Sequence, residues 1–217
     1  MRSICIILLC LLFVICSSHS SFSHRIEGEI TPVLERMEVI LGLIEAGDKE
    51  LAFREAQEVL EDFHYHDFSR VEEGLKTIAV RMDGEFGTSI EKQLEDSFSK
   101  KEPELLGKTI KTLGLLLMIE RFKFVESKLS SFSKSELKGL KKHFWEGRNY
   151  FTLLFEPVLA KYNPAEEMRL ERLLDKMLYS LEDKKLKDFH RARMELVRRI
   201  NRDFGLSLPT TLLNEKQ

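Results

Sequence analysis

Glu61-Asp62-Phe63-His64 sets a carboxylate and an imidazole three residues apart. On a helix this spacing points both side chains to one face, as in carboxylate-bridged metal sites of helical bundles. His66 and Asp67 follow at once, and Glu72 lies one or two turns further on. A mixture of nitrogen and oxygen ligands suits iron, manganese, zinc or copper rather than an ion that prefers thiolates. The expected site is therefore Glu61, His64, His66, Asp67 and Glu72, with an exchangeable ion and no catalytic role. The alternative is an acidic helix end that meets a turn carrying two solvated histidines.

Two further pairs share the spacing. His143-Phe144-Trp145-Glu146 could complete the first site if the two halves of the chain fold together, or be a surface pair beside Trp145. His190 stands among Arg191, Arg193, Arg198 and Arg199 and reads as part of a solvated basic face. Enzymatic chemistry finds no anchor. The sequence has no glycine-rich phosphate loop and no Gly-x-Ser-x-Gly elbow.

The elements that must hold these residues are helices. Thr31-Pro32, Glu102-Pro103 and Asn163-Pro164 place proline in a first helical turn, where its missing N–H costs nothing. Thr88-Ser-Ile-Glu91 and Ser133-Lys-Ser-Glu136 have the capping-box pattern, and Gly47-Asp48 and Gly87-Thr88 couple a helix stop to a start. These marks predict helices over 32–46, 48–65, 67–82, 88–100, 103–130, 134–150, 164–181 and 184–204, with a short turn of helix after Pro157. Val33, Met37, Ile40, Leu41 and Ile44 form an apolar stripe, as do Leu170, Leu173, Leu174, Met177, Leu178 and Leu181. Residues 105–129 are apolar on most faces around Gly114-Leu-Leu-Leu-Met-Ile119, so this segment is expected to be a central helix with Gly114 at a close helix approach.

The fold class expected is all-α, an antiparallel helical bundle. Val71-Glu-Glu-Gly-Leu75 aligns with Phe155-Glu-Pro-Val-Leu159, and Ile90-Glu-Lys-Gln-Leu94 with Leu170-Glu-Arg-Leu-Leu174. Shared helical spacing alone can produce such matches. A true duplication would give two pseudo-repeated units, 42–113 and 134–204, sharing the long helix.

Arg2, the apolar run from Ile4 to Cys16 and the small polar residues after it have the order of a secretory signal, expected over 1–20. The helical domain is then 21–204, with 205–217 as an irregular tail, in an extracytoplasmic, periplasmic or secreted protein. Cys5, Cys10 and Cys16 all lie in or at the end of that signal, so packing rather than disulfides must stabilise the domain. Membrane contact is expected only if Cys16 is lipidated, and the bulky Ile15 before it departs from the lipoprotein pattern. A net charge of −2 leaves no global basic footprint for nucleic acid.

The run from Ala46 to Leu60, followed by Asp67-Phe-Ser-Arg-Val-Glu72 and Ile90-Glu91, resembles the extracytoplasmic helical region of bacterial high-affinity iron permeases. That region reads as a Gly-Asp turn, an alanine-rich helix, an aromatic Val-Glu-Pro-like step and a later acidic helix. Glu72 matches the acidic position of the step, and Phe155-Glu156-Pro157 matches it more fully, which adds Glu156 to the expected metal ligands. The similarity covers 42–113 and, less fully, 144–197. The permease membrane helices and their Arg-Glu iron motif have no counterpart here. The resemblance implies an accessory of iron or other transition-metal handling, with a membrane permease or another envelope protein as partner. The competing expectation is a structural or interaction module of the cell envelope that binds no metal. His24-Arg-Ile-Glu27 is similar to the His-x-x-Glu pair of imelysin-like exported proteins, but it sits beside the signal, where a mobile terminus holds no ligand.

Overall fold

The computed structural model describes residues 30–64 and 70–214. The signal segment, the His24–Glu27 pair, His66 and Asp67 lie outside them.

The chain forms an all-α bundle. Its helices are α1 (Pro32–Ala46), α2 (Lys49–Glu58), α3 (Leu75–Phe86), α4 (Ile90–Lys100), α5 (Pro103–Lys128), α6 (Leu137–Leu154), α7 (Glu156–Tyr162), α8 (Pro164–Glu182), α9 (Leu186–Asp203) and α10 (Thr210–Leu213). Between α2 and α3, β1 (Phe63–His64) and β2 (Val71–Glu72) form one short antiparallel ribbon. Proline occupies the first turn of α1, α5, α7 and α8. Gly47 ends α1 with φ 81, a left-handed geometry that favours glycine, and Asp48 at once caps α2 by accepting from Leu51 N–H at 3.2 Å.

Helix α5 is the axis. It packs against α1, α2, α3, α4, α6 and α9, with α6 its most extensive neighbour. Leu113, Leu115, Leu116, Met118, Ile119 and Phe122 are all buried, which accounts for a segment apolar on most of its faces. A Cβ on Gly114 would collide with Leu154 Cδ1 of α6, so the close approach expected there is found. Gly147 repeats the device from the other side, since a Cβ there would lie 2.7 Å from Phe122 Cε1. Two glycines thus bring the α5 and α6 backbones together. Among the described residues no helix is long and apolar enough to cross a membrane.

The structure departs from the sequence expectation over 59–75. The helix predicted over 48–65 stops at Glu58, and the next begins at Leu75 rather than 67. The cause is a chain crossing. Leu75 N–H donates to Val59 O at 2.8 Å and Lys76 N–H to Leu60 O at 2.9 Å, so the first donors of α3 take carbonyls beyond the end of α2. Asp62 completes the junction by accepting from Gly74 N–H at 2.9 Å and from Thr77 Oγ1 at 2.7 Å. These bonds, Gly74 first, hold the Asp62 carboxyl below its ordinary value. A depressed folded-state value means that the contact is intact above the usual aspartate range, near 3.9, and is lost as pH falls through the lower folded value. The Gly74 amide resonance should therefore titrate with a midpoint below about 3.9, and not at all in Asp62→Ala. A midpoint at or above that value would contradict the assignment.

Smaller departures have local causes. Asp83, near the end of α3, takes over the capping role expected of Thr88 and Glu91. It accepts from Thr88 Oγ1 at 2.6 Å, Ile90 N–H at 2.6 Å and Glu91 N–H at 2.9 Å. In the other box, Glu136 does accept from Ser133 N–H at 2.7 Å. The segment after 204, expected to be irregular, packs down through buried Leu206, Leu208 and Leu212 and ends in α10. The segments aligned as a duplication differ locally. Val71 and Glu72 are strand while Glu156 opens a helix, and Ile90 starts α4 while Leu170 lies in the second turn of α8.

Candidate carboxylate site

The Glu61–His64 pair does not sit on a helical face. Both residues follow the end of α2, and Glu61 is exposed, with Lys76 Nζ 3.6 Å from its carboxylate. His64 belongs to β1 opposite Val71, and Glu72 stands opposite Phe63. Residues that neighbour each other along a strand point to opposite faces, so His64 and Glu72 project to different sides of the ribbon. Glu72 pairs with Arg70 at 2.8 Å. The physical reason for the departure is the crossing at Val59 and Leu60, which ends the helix before the i, i+3 geometry can form.

Glu156 is brought to other carboxylates. It is the first residue of α7, buried at 7% exposure. Glu167 and Glu171, one turn apart in α8, lie beside it, and one oxygen from each of the three falls within 4.8 Å of the others. This is the one such cluster of histidine, cysteine and acidic side chains among the described residues. Local features of the chain hold it there. Pro157 and Pro164 start two helices in succession, Asn163 caps the second by accepting from Glu166 N–H at 3.3 Å, and the short α7 folds the Glu156 end against the side of α8.

Three carboxylates this close repel strongly. Two unit charges 4 Å apart cost about 4 kcal/mol at the effective dielectric of a protein surface. Part of the compensation comes from α6. Arg148 donates to Glu171 and lies 3.3 Å from Asp175, while its guanidinium stacks 5.1 Å from the Trp145 ring. The N-terminal end of α7 contributes a fixed positive potential at Glu156. A cation held by the three would have oxygen ligands alone. Their oxygens lie within 4.8 Å of one another, so small side-chain rotations would bring all three to the 2.3–2.6 Å bond lengths of calcium and larger ones to the shorter bonds of smaller hard cations.

His143 and His190 each meet a glutamate. His143 Nδ1 lies 3.2 Å from Glu146 Oε2 on its own helix, and its ring meets Phe124 edge-on at 4.5 Å. His190 is not on a solvated face. It is buried, with Nδ1 2.6 Å from Glu126 Oε1, and Arg193, only 2% exposed, donates Nε to Glu126 Oε2 at 2.6 Å. This triad ties α9 to α5 across a separation in sequence that no local pattern reveals. Phe144, Tyr150 and Phe151 of α6, and Phe155 just after it, are buried in the core.

No family model, no curated protein and no solved structure matches this chain.

Proposed function

We propose that the protein is a non-catalytic helical accessory of metal handling in the cell envelope, holding a hard di- or trivalent cation such as ferric iron or manganese between Glu156, Glu167 and Glu171. The observation that carries this reading is the convergence of a buried carboxylate at the start of α7 with two from α8. An all-oxygen set favours hard cations over copper or zinc, which narrows the metal class expected from the mixed histidine and carboxylate pattern. The secretory pattern of residues 1–20 and the resemblance to iron-permease extracytoplasmic regions support an activity outside the cytoplasm, with a permease or another envelope protein receiving the ion.

Calorimetric titration of the protein with manganese, ferric, calcium and zinc ions tests this. A hard ion should bind, and Glu156→Gln or Glu167→Gln should weaken it by at least about tenfold, the equivalent of about 1.4 kcal/mol. His64→Ala should leave binding unchanged. Because ionised carboxylates are the ligands, protons compete with the metal and affinity should fall as pH drops. Equal heats in all variants, or loss of binding in His64→Ala alone, would remove the site.

A second reading is favoured by Arg148. Its contact with Glu171 already supplies a positive charge, so the cluster can serve as a structural ion network in an interaction module that binds no metal. Arg148→Gln separates the two. It should tighten metal binding if the cluster is a cation site, and only lower thermal stability if it is a structural network.

A further inference from the structure

The faces of α2 and α4 flank an open groove, remote in sequence from the carboxylate cluster. A cavity of about 650 Å³ is lined by Lys49, Glu50, Phe53, Arg54, Gln57, Phe98 and Lys101. Phe53 and Phe98 meet edge to face at 5.6 Å, an apolar wall contributed by both helices. Around them stand three cations and one carboxylate. Lys49 makes only a 3.9 Å exposed contact with Glu104, and among the described residues Arg54 and Lys101 have no acidic partner. The volume lies within the range of small-molecule sites, about 300–1,000 Å³. An apolar body and an anionic head are the complement of this lining.

We infer that this groove between α2 and α4 binds an amphipathic organic carboxylate, its aryl or acyl body against Phe53 and Phe98 and its head between Arg54 and Lys101. Lys101 supports the assignment by its conformation. It ends α4 with φ 53, a left-handed geometry usually given to glycine at a helix C-terminus, and it lines the groove. Glycine there would relieve the backbone and remove the charge. Arg54 projects from the exposed side of α2, so its replacement also leaves the core intact.

The asymmetry of Lys101 makes the test clean. Fluorescence of 8-anilinonaphthalene-1-sulfonate bound to the full chain is followed while decanoate or 1-decanol is added, in native protein, Lys101→Gly, Arg54→Gln and the double variant. Decanoate should displace the dye at least about tenfold more effectively than decanol. Each single variant should weaken decanoate about threefold and the double variant about tenfold, as for partly exposed charge contacts. Lys101→Gly should keep or raise the thermal midpoint, so its loss of affinity cannot come from unfolding. The amide signals of Gln57 and Lys101 in the native chain should shift on addition of decanoate. Equal displacement by decanol, unchanged affinity in the double variant, no shift at Gln57 and Lys101, or binding to anionic vesicles without binding of monomeric decanoate would each overturn the inference.

Discussion

Leu116→Asp is expected to lower the thermal midpoint by roughly 10–15 °C, the equivalent of about 4 kcal/mol in a protein of this size. Leu116 is fully buried on the helix that touches most of the bundle. An aspartate there would lose the apolar contacts of leucine and bury a charge with no cation near it, a cost that neutralisation reduces but does not remove. Leu113, Leu115, Leu117 and Ile119 around it on the helix are all buried, so the side chain has no short path to water. Leu116→Met, which keeps volume and polarity, should cost less than about 1.5 kcal/mol. Thermal unfolding followed by circular dichroism checks both. A loss of under about 1 kcal/mol for Leu116→Asp would mean that α5 is not the axis of the core.

Gly74→Ala is the second large effect, expected at about 2–4 kcal/mol, on the scale of a broken set of buried backbone interactions. Gly74 has an ordinary φ of −79, so the reason for glycine is space and not conformation. A Cβ would run into the carbonyl oxygen of Glu61 and lie 2.7 Å from that of Leu60. Backbone atoms cannot rotate away as a side chain end can. Relief must separate the 59–62 segment from the start of α3, breaking the bonds from Leu75 and Lys76 and the Asp62 contact. Gly84→Ala in the same helix is the control, because a Cβ there meets nothing within 4 Å and should be neutral or stabilising. Equal stability of the two variants would contradict the crossing.

What the sequence reveals and what it hides follow from the range of the interactions. Helix starts at Pro32, Pro103 and Pro164, the Gly47-Asp48 junction and the buried character of residues 105–129 are local properties, and each is found where the sequence places it. Gly114 was legible because a glycine inside an apolar helix has few uses other than close packing. The junction at 59–75 was not, because helix α2 ends where carbonyls of Val59 and Leu60 meet donors more than a dozen residues later. No local rule announces such a partner. The burial of His190 and Arg193 fails to show for the same reason, since both meet Glu126 on another helix and a run of basic residues looks solvated. Glu156 belongs to the expected ligands through its match to a motif, whereas no motif marks Glu167 or Glu171. Their i, i+4 spacing was the available signal, but acidic pairs at that spacing are frequent on solvated helix faces.

The break between α6 and α7 sets the direction of Glu156. Phe155 breaks the path of α6 and Pro157 restarts the chain, which turns Glu156 toward α8 and away from solvent. A continuous helix through this region would carry the residue past its partners.

The most direct measurement of the central proposal is anomalous X-ray scattering from crystals of the protein equilibrated with manganese. The account predicts one strong peak surrounded by the carboxylates of Glu156, Glu167 and Glu171, lost in crystals of Glu156→Gln. A peak bound by His64 and Glu61 instead, or no peak among the three glutamates at saturating manganese, would contradict it.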